Sequence, residues 1–438
     1  MTNPTGGIDL QRVSEAPTSD DVTMEAVVAK ANVLKAWKRV KSNRGAPGID
    51  GMHVEDFADY AKVQWPTIRQ SLLDGRYRPQ PVRRVSIPKP GGGQRELGIP
   101  TVMDRVIQQA LAQVMTPVFD PDFSDSSFGF RPKRSAHQAL RQVQQHLQTG
   151  RRWSVDLDLA KFFDNVNHDI LMQRVSKKIS DRRVLSLIGR YLRAGVQVGV
   201  TSQPSDLGTR QGGPLSPLLA NILLDDLDKE LEARGHRFAR YADDLLVLVK
   251  SQRAGERVKA SLTRWLQRKL KLPVNEHKSR VTPANDAEFL GFTFRGTKLR
   301  WSEKSLMAFQ QRVRQLTGRS WGVSMAYRMA QLAHYLRGWA GYFGISQYYR
   351  PVPGIDDWIR RRVRMCYWKQ WQRPRRRIRN LLNLGVARLA AVVTGRSRKG
   401  YWRLSKTPAL QSGMTNAWLK QQGLLSFRDL WMQAQGYV

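Results

Sequence analysis

Two apolar runs enclose a pair of aspartates in residues 237–249, which read RFARYADDLLVLV. Such runs around a short polar break predict a β-hairpin with Asp243 and Asp244 at its turn. Aspartates are frequent in turns, so a solvent-exposed acidic turn explains this stretch equally well when it is taken alone. A second acidic strand end elsewhere in the chain would favour a functional interpretation.

Such a second strand end is predicted at 155–159, within residues 154–164, which read SVDLDLAKFFD. Aspartates that converge from two strands are what a two-metal site requires, because two Mg²⁺ ions clamp the attacking and leaving oxygens of an in-line displacement. Mg²⁺ prefers carboxylate oxygens and keeps phosphates and waters as its other ligands. The pattern therefore predicts phosphoryl transfer chemistry.

The chain also carries a large positive charge. Its 438 residues contain 73 Lys and Arg against 36 Asp and Glu, which gives a net charge of +37. This excess indicates a polyanionic partner, nucleic acid first and an anionic membrane surface second, and argues against a small neutral substrate. With the acidic strand ends it favours a polymerase or a nuclease. A hydrophobic fraction of 41% excludes a disordered chain.

Other sequence features limit the compartment and the cofactors. The single cysteine, Cys366, excludes an intramolecular disulfide and a zinc site built on a cysteine pair. Residues 1–17 contain no apolar segment of a secretory signal. The longest apolar runs are far shorter than the roughly 18 residues that a membrane-spanning helix needs. We expect no membrane association and a cytoplasmic location of the bacterial type, on the nucleoid when the protein is bound to DNA.

Charge and residue patterns divide the chain. Residues 301–438 hold 25 Lys and Arg against 4 Asp and Glu, whereas residues 1–300 hold 48 against 32, which predicts a boundary near residue 300. Residues 1–20 are expected to form a flexible tail. The predicted fold class is α+β, with a small antiparallel sheet among many helices. The main predicted helices are 22–42, 104–118, 135–149, most of 169–194, 214–232 and 254–271; a helical pattern is predicted from about 303 to 395, and a strand–loop–strand unit at 82–100.

A series of short motifs follows along the chain: NRGAPGIDG (43–51), IPKPGGGQRELGIP (87–100), DRVIQ (104–108), SFGFRP (127–132), RSAH (134–137), DLAKFFD (158–164), RQGGPLSP (210–217), YADD (241–244), NEHK (275–278) and FLGF (289–292). These motifs, in this order, resemble those of the group II intron-encoded reverse transcriptases, also called maturases. The resemblance implies a right-hand polymerase fold. Fingers and palm would occupy residues 21–300, an α-helical thumb (maturase domain X) residues 301–375, and a basic DNA-binding region residues 376–438.

The resemblance implies which acids bind metal. In this family, the metal-binding aspartate of the first palm motif lies five residues before an aromatic residue that excludes the ribose 2′-OH. That spacing selects Asp158 with Phe163 and leaves a structural role for Asp156. The implied ligands of two Mg²⁺ ions are Asp158, Asp243, the more peripheral Asp244 and the backbone carbonyl of Leu159.

A nucleotide site is implied as well. Lys89 and Arg95 resemble the fingers residues that hold the incoming triphosphate, which suits a lysine point charge and a bidentate arginine fork. Two exposed cations in a glycine loop are the alternative. Gln211 and Gly212 would pack under the nucleotide and template. Lys278 resembles a lysine that acts on the pyrophosphate leaving group, with a solvated lysine as the competing interpretation. The implied primer grip comprises Phe289, Leu290, Gly291 and Phe292, for which a simple core strand is the alternative.

The C-terminal third resembles the thumb and the small DNA-binding region of this family. Cations alternate with Trp and Tyr through residues 350–379, where 11 residues are Lys or Arg. Phosphates attract cations, and single-stranded bases stack on aromatic rings and guanidinium planes. Core packing is the alternative for several of the Trp residues. The predicted nucleic-acid-binding residues are Arg360, Arg361, Arg362, Arg364, Lys369, Arg375, Arg376 and Arg377.

The implied function is that of an RNA-directed DNA polymerase and intron maturase. Such a protein binds a group II intron RNA, assists its splicing and copies it into DNA at a target site during retrohoming. Its substrates would be an RNA template with a DNA primer, and dNTPs; a homodimer is left open. The cysteine pairs of the endonuclease found in many relatives are missing, so we expect the class without that domain, often associated with group IIC introns. A splicing-only RNA-binding maturase and a host-adopted reverse transcriptase in repair or defence remain alternatives.

Overall fold

The computed structural model describes residues 21–88, 94–198, 201–203, 208 and 212–437. These residues form two compact units, which are described separately below. The first contains the described residues of Met1–His146 and Arg151–Thr282, and the second those of Leu147–Gly150 and Pro283–Val438. The functional domain boundaries expected from the sequence, including the one near residue 300, stay a prediction. The tail expected at residues 1–20 lies outside the described residues.

The first unit is mostly helical. Its helices are α1 (Met24–Val27), α2 (Lys30–Ser42), α3 (Phe57–Leu73), α4 (Val102–Phe119), α5 (Ala136–Gln148), α6 (His168–Val175), α7 (Arg182–Arg193), α8 (Ser216–Ala233) and α9 (Gln252–Trp265), the last continued by a π-helical turn over Leu266–Leu270. Helix α4 lies in the centre of the core, where Ile107, Leu111 and Met115 are almost completely buried. Thr101 caps its first turn by accepting from the N–H of Asp104.

Two predicted helices are interrupted by local backbone chemistry. The run predicted over 169–194 is two helices, α6 and α7, because Asp181 accepts from the N–H groups of Arg183 and Val184 as a new N-cap. The helix predicted over 22–42 is likewise split into α1 and α2, since Ala29 takes an extended ψ of 133°. The other helices of this unit lie close to their predicted positions.

Small sheets support the helices of the first unit. Its strands are β1 (Val82–Pro88), β2 (Gln94–Ile99), β3 (Trp153–Leu157), β4 (Val196–Val198), β5 (Thr201–Gln203), β6 (Arg237–Tyr241), β7 (Asp244–Val249) and β8 (Arg280–Pro283). One sheet has the order β2-β1-β4-β5, and the other has the order β6-β7-β3-β8. The β1–β4 pair is parallel, whereas β3–β7 and β6–β7 are antiparallel. The α+β class predicted from the sequence is confirmed.

The second unit is a helical array with one small sheet. Its strands β9 (Glu288–Phe289), β10 (Phe292–Arg295) and β11 (Lys298–Trp301) pair in the order β11-β10-β9. The helices are α10 (Glu303–Leu316), α11 (Met325–Phe343), α12 (Val352–Gln370), α13 (Pro374–Asn383), α14 (Arg388–Arg396), α15 (Tyr401–Leu404), α16 (Pro408–Gly413), α17 (Asn416–Gln421) and α18 (Phe427–Ala434). Phe309, Trp368 and Phe427 are completely buried in its core. Among the described helices, none combines the length and apolar character needed to span a bilayer.

Candidate active site

The β6–β7 hairpin presents the aspartate pair. Tyr241 pairs with Asp244 across a two-residue turn made of Ala242 and Asp243. Ala242 has a φ of +59°, in the left-handed region that residues with a Cβ rarely adopt. The hairpin predicted from residues 237–249 is therefore present, and Asp243 lies in its turn.

Strand β3 brings the other acid to the same place. Its antiparallel pairing with β7 aligns Leu157 with Leu245, so the next position in register sets Asp158 beside Asp244. The backbone N–H of Asp158 donates to Ser279 Oγ at 3.0 Å, which fixes the end of the strand. The observed strand ends two residues earlier than predicted, so Asp158 follows β3 instead of lying within it.

A cavity of about 500 Å³ opens at these strand ends. Its lining consists of Asp156, Leu157, Asp158, Asp243, Asp244, His277, Lys278 and Arg280. Lys278 Nζ lies 3.7 Å from Asp158 Oδ2, and Arg280 Nε lies 4.0 Å from Asp156 Oδ2. The two cations offset part of the repulsion among the carboxylates. The structure thus places all three predicted catalytic acids, and the predicted leaving-group lysine, around one volume.

The carboxylates of this acidic cavity are suitable ligands for Mg²⁺, but they do not form a complete coordination shell. Within the part of the chain that the structure describes, no group of three His, Cys, Asp or Glu side chains could hold a metal ion by itself. Mg²⁺ does not need such a cage, because it is usually bound through one or two carboxylates together with substrate phosphates and waters. Asp158 and Asp243 supply hard oxygens of this kind. Leu159, whose carbonyl was predicted to bind metal, pairs with Val274 in an isolated bridge.

A second cavity in the first unit, of about 540 Å³, contains part of the predicted nucleotide site. It brings together Arg95, Phe163 and Gly212. Gly212 has a φ of +125°, and a Cβ there would lie 2.6 Å from the carbonyl oxygen of Gly98, so only glycine fits. Two further predicted members lie outside the described residues: Lys89 and Gln211.

The second cavity is also lined by residues that were not predicted to belong to the nucleotide site, among them Arg39, Arg105 and Phe130. Burial lowers the pKa of the Arg105 guanidinium, which donates to the carbonyl of Ala46 at 3.0 Å. Phe130 is 58% exposed, has a φ of +58°, and lies 6.3 Å from the ring of Tyr241. Arg105 and Phe130 both stand inside motifs of the resemblance, which is the signal that could have pointed to them.

The residues predicted as a primer grip belong to the second unit and form its β9–β10 turn. Leu290 and Gly291 have φ values of +51° and +80°, as a two-residue hairpin turn requires. The rings of Phe289 and Phe292 are buried in the core of that unit, as the core-strand alternative expected. The carbonyl of Leu290 accepts from the Tyr342 hydroxyl at 3.0 Å. Contact with a primer stays a prediction.

Comparison with known proteins shows the family. Residues 87–294 match the reverse transcriptase (RNA-dependent DNA polymerase) family, and residues 306–384 match the group II intron maturase-specific domain. Protein YkfC of Escherichia coli is 36% identical over 308 residues, which cover 61% of this chain and 80% of that protein. The group II intron-encoded protein LtrA of Lactococcus lactis subsp. cremoris is 32% identical over 327 residues, 59% of this chain and 54% of LtrA. The chain belongs to the group II intron-encoded reverse transcriptases and maturases.

The match to LtrA therefore spans about half of that relative. A third relative, nuclear intron maturase 1 of Arabidopsis thaliana, is 34% identical over 94 residues, 22% of this chain and 13% of that protein. In this maturase, the acidic cavity and the second cavity both belong to the residues that match the reverse transcriptase family, apart from the N-terminal contribution of α2 and the loop after it. The fold and family expected from the sequence motifs are thereby confirmed.

Several cations predicted to bind nucleic acid are bonded within the second unit of the maturase. Arg364 is only 8% exposed and donates to the carbonyl of Met414 at 2.9 Å. Arg360 forms ion pairs with Asp356 at 2.5 Å and with Asp357 at 2.7 Å. These contacts give both arginines a structural role that the charge run alone did not indicate. The i,i+4 spacing of Asp356 and Arg360 on one helix was the signal available for it.

The remaining cations of that set divide into stacked, bonded and exposed side chains. The ring-stacked pairs, with the distance from the cation to the ring centre, are Arg361 on Trp402 (3.7 Å), Lys369 on Tyr401 (5.2 Å) and Arg377 on Trp368 (4.8 Å). Arg362 donates to the hydroxyl of Thr317 at 2.5 Å. Arg375 and Arg376 are exposed on α13, and their side chains make no hydrogen bond or ion pair with another described residue. Direct contact with nucleic acid stays a prediction, best supported for Arg375 and Arg376.

The strand that leads into the Ala242–Asp243 turn contains a functional candidate that the sequence did not reveal. Arg240, one residue before Tyr241, is completely buried and bonds to Asp228 on α8. An arginine in an RFARY strand is usually expected on an exposed face. Its burial depends on an acid from another element, which no local pattern encodes.

Proposed function

We propose that this maturase extends a DNA primer on an RNA template at the acidic cavity lined by Asp158, Asp243 and Asp244. In this reaction the primer 3′-OH attacks the α-phosphate of a dNTP, and pyrophosphate leaves. The observation that carries the proposal is the register of β3, β7 and β6, which brings acids from two separate sequence motifs to one cavity. Clustered carboxylates of this kind are the donor set for phosphoryl transfer in a positively charged protein.

Two Mg²⁺ ions held there would stabilise the charge on the attacking and leaving oxygens. Asp158 and Asp243 would bind them, with Asp244 more peripheral and the carbonyl of Leu159 as a further ligand. Lys278 Nζ lies 3.7 Å from Asp158 Oδ2, at the edge of the proposed metal site. During the reaction, its ammonium group is placed to offset charge on the departing pyrophosphate.

The second cavity supports selection of the incoming nucleotide. Arg95 would hold the triphosphate with Lys89, because an arginine fork matches phosphate oxygens in pairs. Phe163 would close the space beside the ribose 2′ position, and Gly212, whose backbone lies against Gly98, would pack under the nucleotide and template. Gln211 would support the same surface.

Primer extension on an RNA template tests whether Asp158, rather than Asp156, is the essential acid at the end of β3. Asp158→Asn should lower the rate of cDNA synthesis by about a hundredfold or more, since an essential charge stabilises the transition state by several kcal/mol. Asp156→Asn is the matched control, because this acid lines the same cavity and also lies beside a cation, Arg280, but is not one of the proposed metal ligands. It should retain most activity. Equal loss in both variants, or retained synthesis by Asp158→Asn, would contradict the assignment.

We also infer that the protein binds a group II intron RNA and assists its splicing, with retrohoming into a DNA target as the wider role. The match of residues 306–384 to the maturase-specific domain and the exposed cations of α13 support this second function. If splicing is a binding function, Asp243→Ala should promote splicing in low-magnesium buffer as well as the wild type does. Loss of splicing together with polymerisation would show that the two share a site. A homodimer and the expected location stay predictions.

A further inference from the structure

An ion pair lies completely buried directly behind the catalytic turn. Arg240 and Asp228 have no exposed side-chain surface. Arg240 Nε donates to Asp228 Oδ1 at 2.7 Å, and Nη2 donates to Asp228 Oδ2 at 2.5 Å. This bidentate geometry leaves the outer face of the guanidinium directed away from the acid.

The other donors of Arg240 reach the turn and its supports. Nη1 donates to the carbonyl of Ala242 at 2.9 Å and to Asn221 Oδ1 at 3.0 Å. Nη2 also donates to Ser127 Oγ at 2.8 Å. An arginine has five N–H groups, so its donor capacity is completely used here. One side chain thereby joins α8, residues 126–129 and the turn that carries Asp243.

Asn221, which accepts from Arg240, also holds Gly129 against the other side of the turn. Asn221 Nδ2 donates to the carbonyl of Gly129 at 2.8 Å. Gly129 lies so close to the turn that a Cβ there would be 2.2 Å from the backbone nitrogen of Ala242. Ala242 is therefore fixed between the Arg240 guanidinium, which binds its carbonyl, and the Gly129 backbone. This confinement accounts for the left-handed φ of an alanine that would otherwise avoid it.

Stability alone does not explain a charged pair at this place. Burying two charges costs desolvation energy, and apolar replacements of buried ion pairs are often equally stable. An apolar pair would fill the volume but would offer no donor to the Ala242 carbonyl. The feature that only arginine supplies is a planar set of donors that spans the acid and the turn.

We propose that Arg240, oriented by Asp228 and Asn221, is a positioning residue that fixes the Ala242–Asp243 turn and so aims the Asp243 carboxylate. The inference rests on the proposed role of Asp243 as a metal ligand. The rigidity of the Ala242–Asp243 turn can nevertheless be measured without catalysis. Arg240 contacts no substrate in this scheme. It acts through the backbone of the residue that precedes the catalytic acid.

The double variant Arg240→Met/Asp228→Leu separates positioning from folding, because it removes both charges and leaves an apolar pair. We expect a thermal unfolding curve close to that of the wild type. Amide hydrogen exchange in the peptide spanning residues 241–245 should accelerate by about tenfold or more, as local opening becomes easier. Mn²⁺ binding to the protein without substrate should weaken by a similar factor. This binding is measured as the loss of the EPR signal of the free ion. The turnover number in primer extension should fall while the KM for primer–template stays unchanged.

Two single variants keep the test decisive if the double variant does not fold. Arg240→Lys preserves the charge next to Asp228 but cannot reach all of the acceptors, and Asn221→Ala leaves the ion pair intact and releases Gly129. Both should show faster exchange at 241–245. The matched control is Arg174→Met/Asp226→Leu, a half-buried ion pair that joins α6 to α8 and does not touch the turn; it should change neither exchange nor Mn²⁺ binding.

Wild-type exchange and Mn²⁺ affinity in a folded Arg240 variant would overturn the positioning role. Faster exchange with unchanged Mn²⁺ binding would also overturn it, since the turn would then be loosened without effect on the acid. Failure of the proposed function gives a different result, namely polymerase activity that persists in Asp158→Asn.

Discussion

At the residue scale, Phe163 is the side chain whose packing predicts a measurable selectivity. It lies in the wall of the second cavity, and only 8% of its surface is exposed. A ring so confined cannot move aside for an added hydroxyl. Phe163→Val should therefore raise the ratio of kcat/KM for rATP to that for dATP by about tenfold or more, since each 1.4 kcal/mol of relieved clash gives a factor of ten.

Phe162 provides the control for that ratio. Its ring packs edge-on against Phe163 at 5.1 Å and is 2% exposed, but it does not line the second cavity. Phe162→Leu should leave the rATP to dATP ratio unchanged, whatever it does to stability. An unchanged ratio in Phe163→Val would show that another group excludes the 2′-hydroxyl.

Arg95 gives a second prediction at this scale. Its guanidinium lines the same cavity, and a charge-assisted contact to phosphate should be lost in Arg95→Ala. The KM for dNTP should rise by about tenfold or more with a smaller change in kcat, measured by steady-state primer extension. Arg84→Ala is the matched control, because Arg84 is an exposed cation of the adjacent strand that pairs with Glu96. A dNTP KM that rises equally in both variants would contradict a specific role.

Residues differ in how far sequence could predict them. The sequence motifs predicted a site containing Asp158, Asp243, Asp244 and Phe163, because their chemistry and short-range spacing are visible in the linear chain, and the structure places these residues at two cavities. Arg240 was missed because its burial depends on Asp228, twelve positions away, and on Ser127, 113 positions away. Arg364 was assigned to nucleic acid, and the structure shows that it is buried and that two of its N–H groups donate to Met414 and Asn416.

At the element scale, the β9–β10 turn makes a stability prediction with an internal control. A Cβ on Gly291 would lie 2.9 Å from Ser305 Oγ and 3.2 Å from a ring carbon of Phe343, at a φ of +80°. Gly296 has a φ of +58° with nothing within 4 Å. Gly296→Ala should cost only about 1 kcal/mol of left-handed strain, and Gly291→Ala should cost about 1–3 kcal/mol more for the clash. Thermal or denaturant unfolding measures both.

Equal destabilisation by the two alanines would contradict the packing described for the β9–β10 turn. The comparison also separates two views of residues 289–292. A structural turn predicts a loss of stability in Gly291→Ala, whereas a role in holding the primer adds a rise in the KM for primer–template. Measuring both quantities on the same variant distinguishes the two.

Element positions were predictable where one face or one turn dominates the pattern. The β6–β7 hairpin lies where the two apolar runs predicted it, and helix α4 lies where helical periodicity predicted it. The break between α6 and α7 was missed, because an N-cap by Asp181 is a side-chain contact and periodicity continues across it. The hydrogen bond from the N–H of Met24 to Asp181, 157 residues away, could likewise not be predicted from the sequence.

At the scale of the whole molecule, the charge asymmetry predicts how RNA binding depends on salt. Each phosphate contact contributes about 0.7–0.9 to the slope of log affinity against log salt concentration. Removing the exposed pair in Arg375→Gln/Arg376→Gln should therefore reduce the slope for intron RNA by about 1.5 and weaken binding at low salt. Filter binding across a salt series measures it.

The matched control changes the net charge equally on another exposed helix. Arg253→Gln/Arg257→Gln removes two cations from α9 in the first unit. If binding reflects net charge alone, both double variants will lose the same slope. If α13 forms part of the RNA surface, only the first will.

Composition predicted the class of partner, but it did not predict which cations are available to bind that partner and which stabilise the protein. The net charge of +37 and its concentration after residue 300 indicated nucleic acid. The structure adds that several of those cations serve the core of the second unit through ion pairs and ring contacts. Total charge therefore overstates the number of side chains available to phosphate, and only burial and pairing in three dimensions identify the remainder.

We propose that the Asp243 turn and the end of β3 together form a reverse transcriptase site. Single-nucleotide incorporation on an RNA template with a DNA primer, Mg²⁺ and the complementary dNTP tests it most directly, with wild type and Asp243→Asn compared at equal primer–template occupancy. We expect extension by the wild type and a loss of about a hundredfold or more in Asp243→Asn, with thermal stability unchanged. Extension by the variant at the wild-type rate would contradict it.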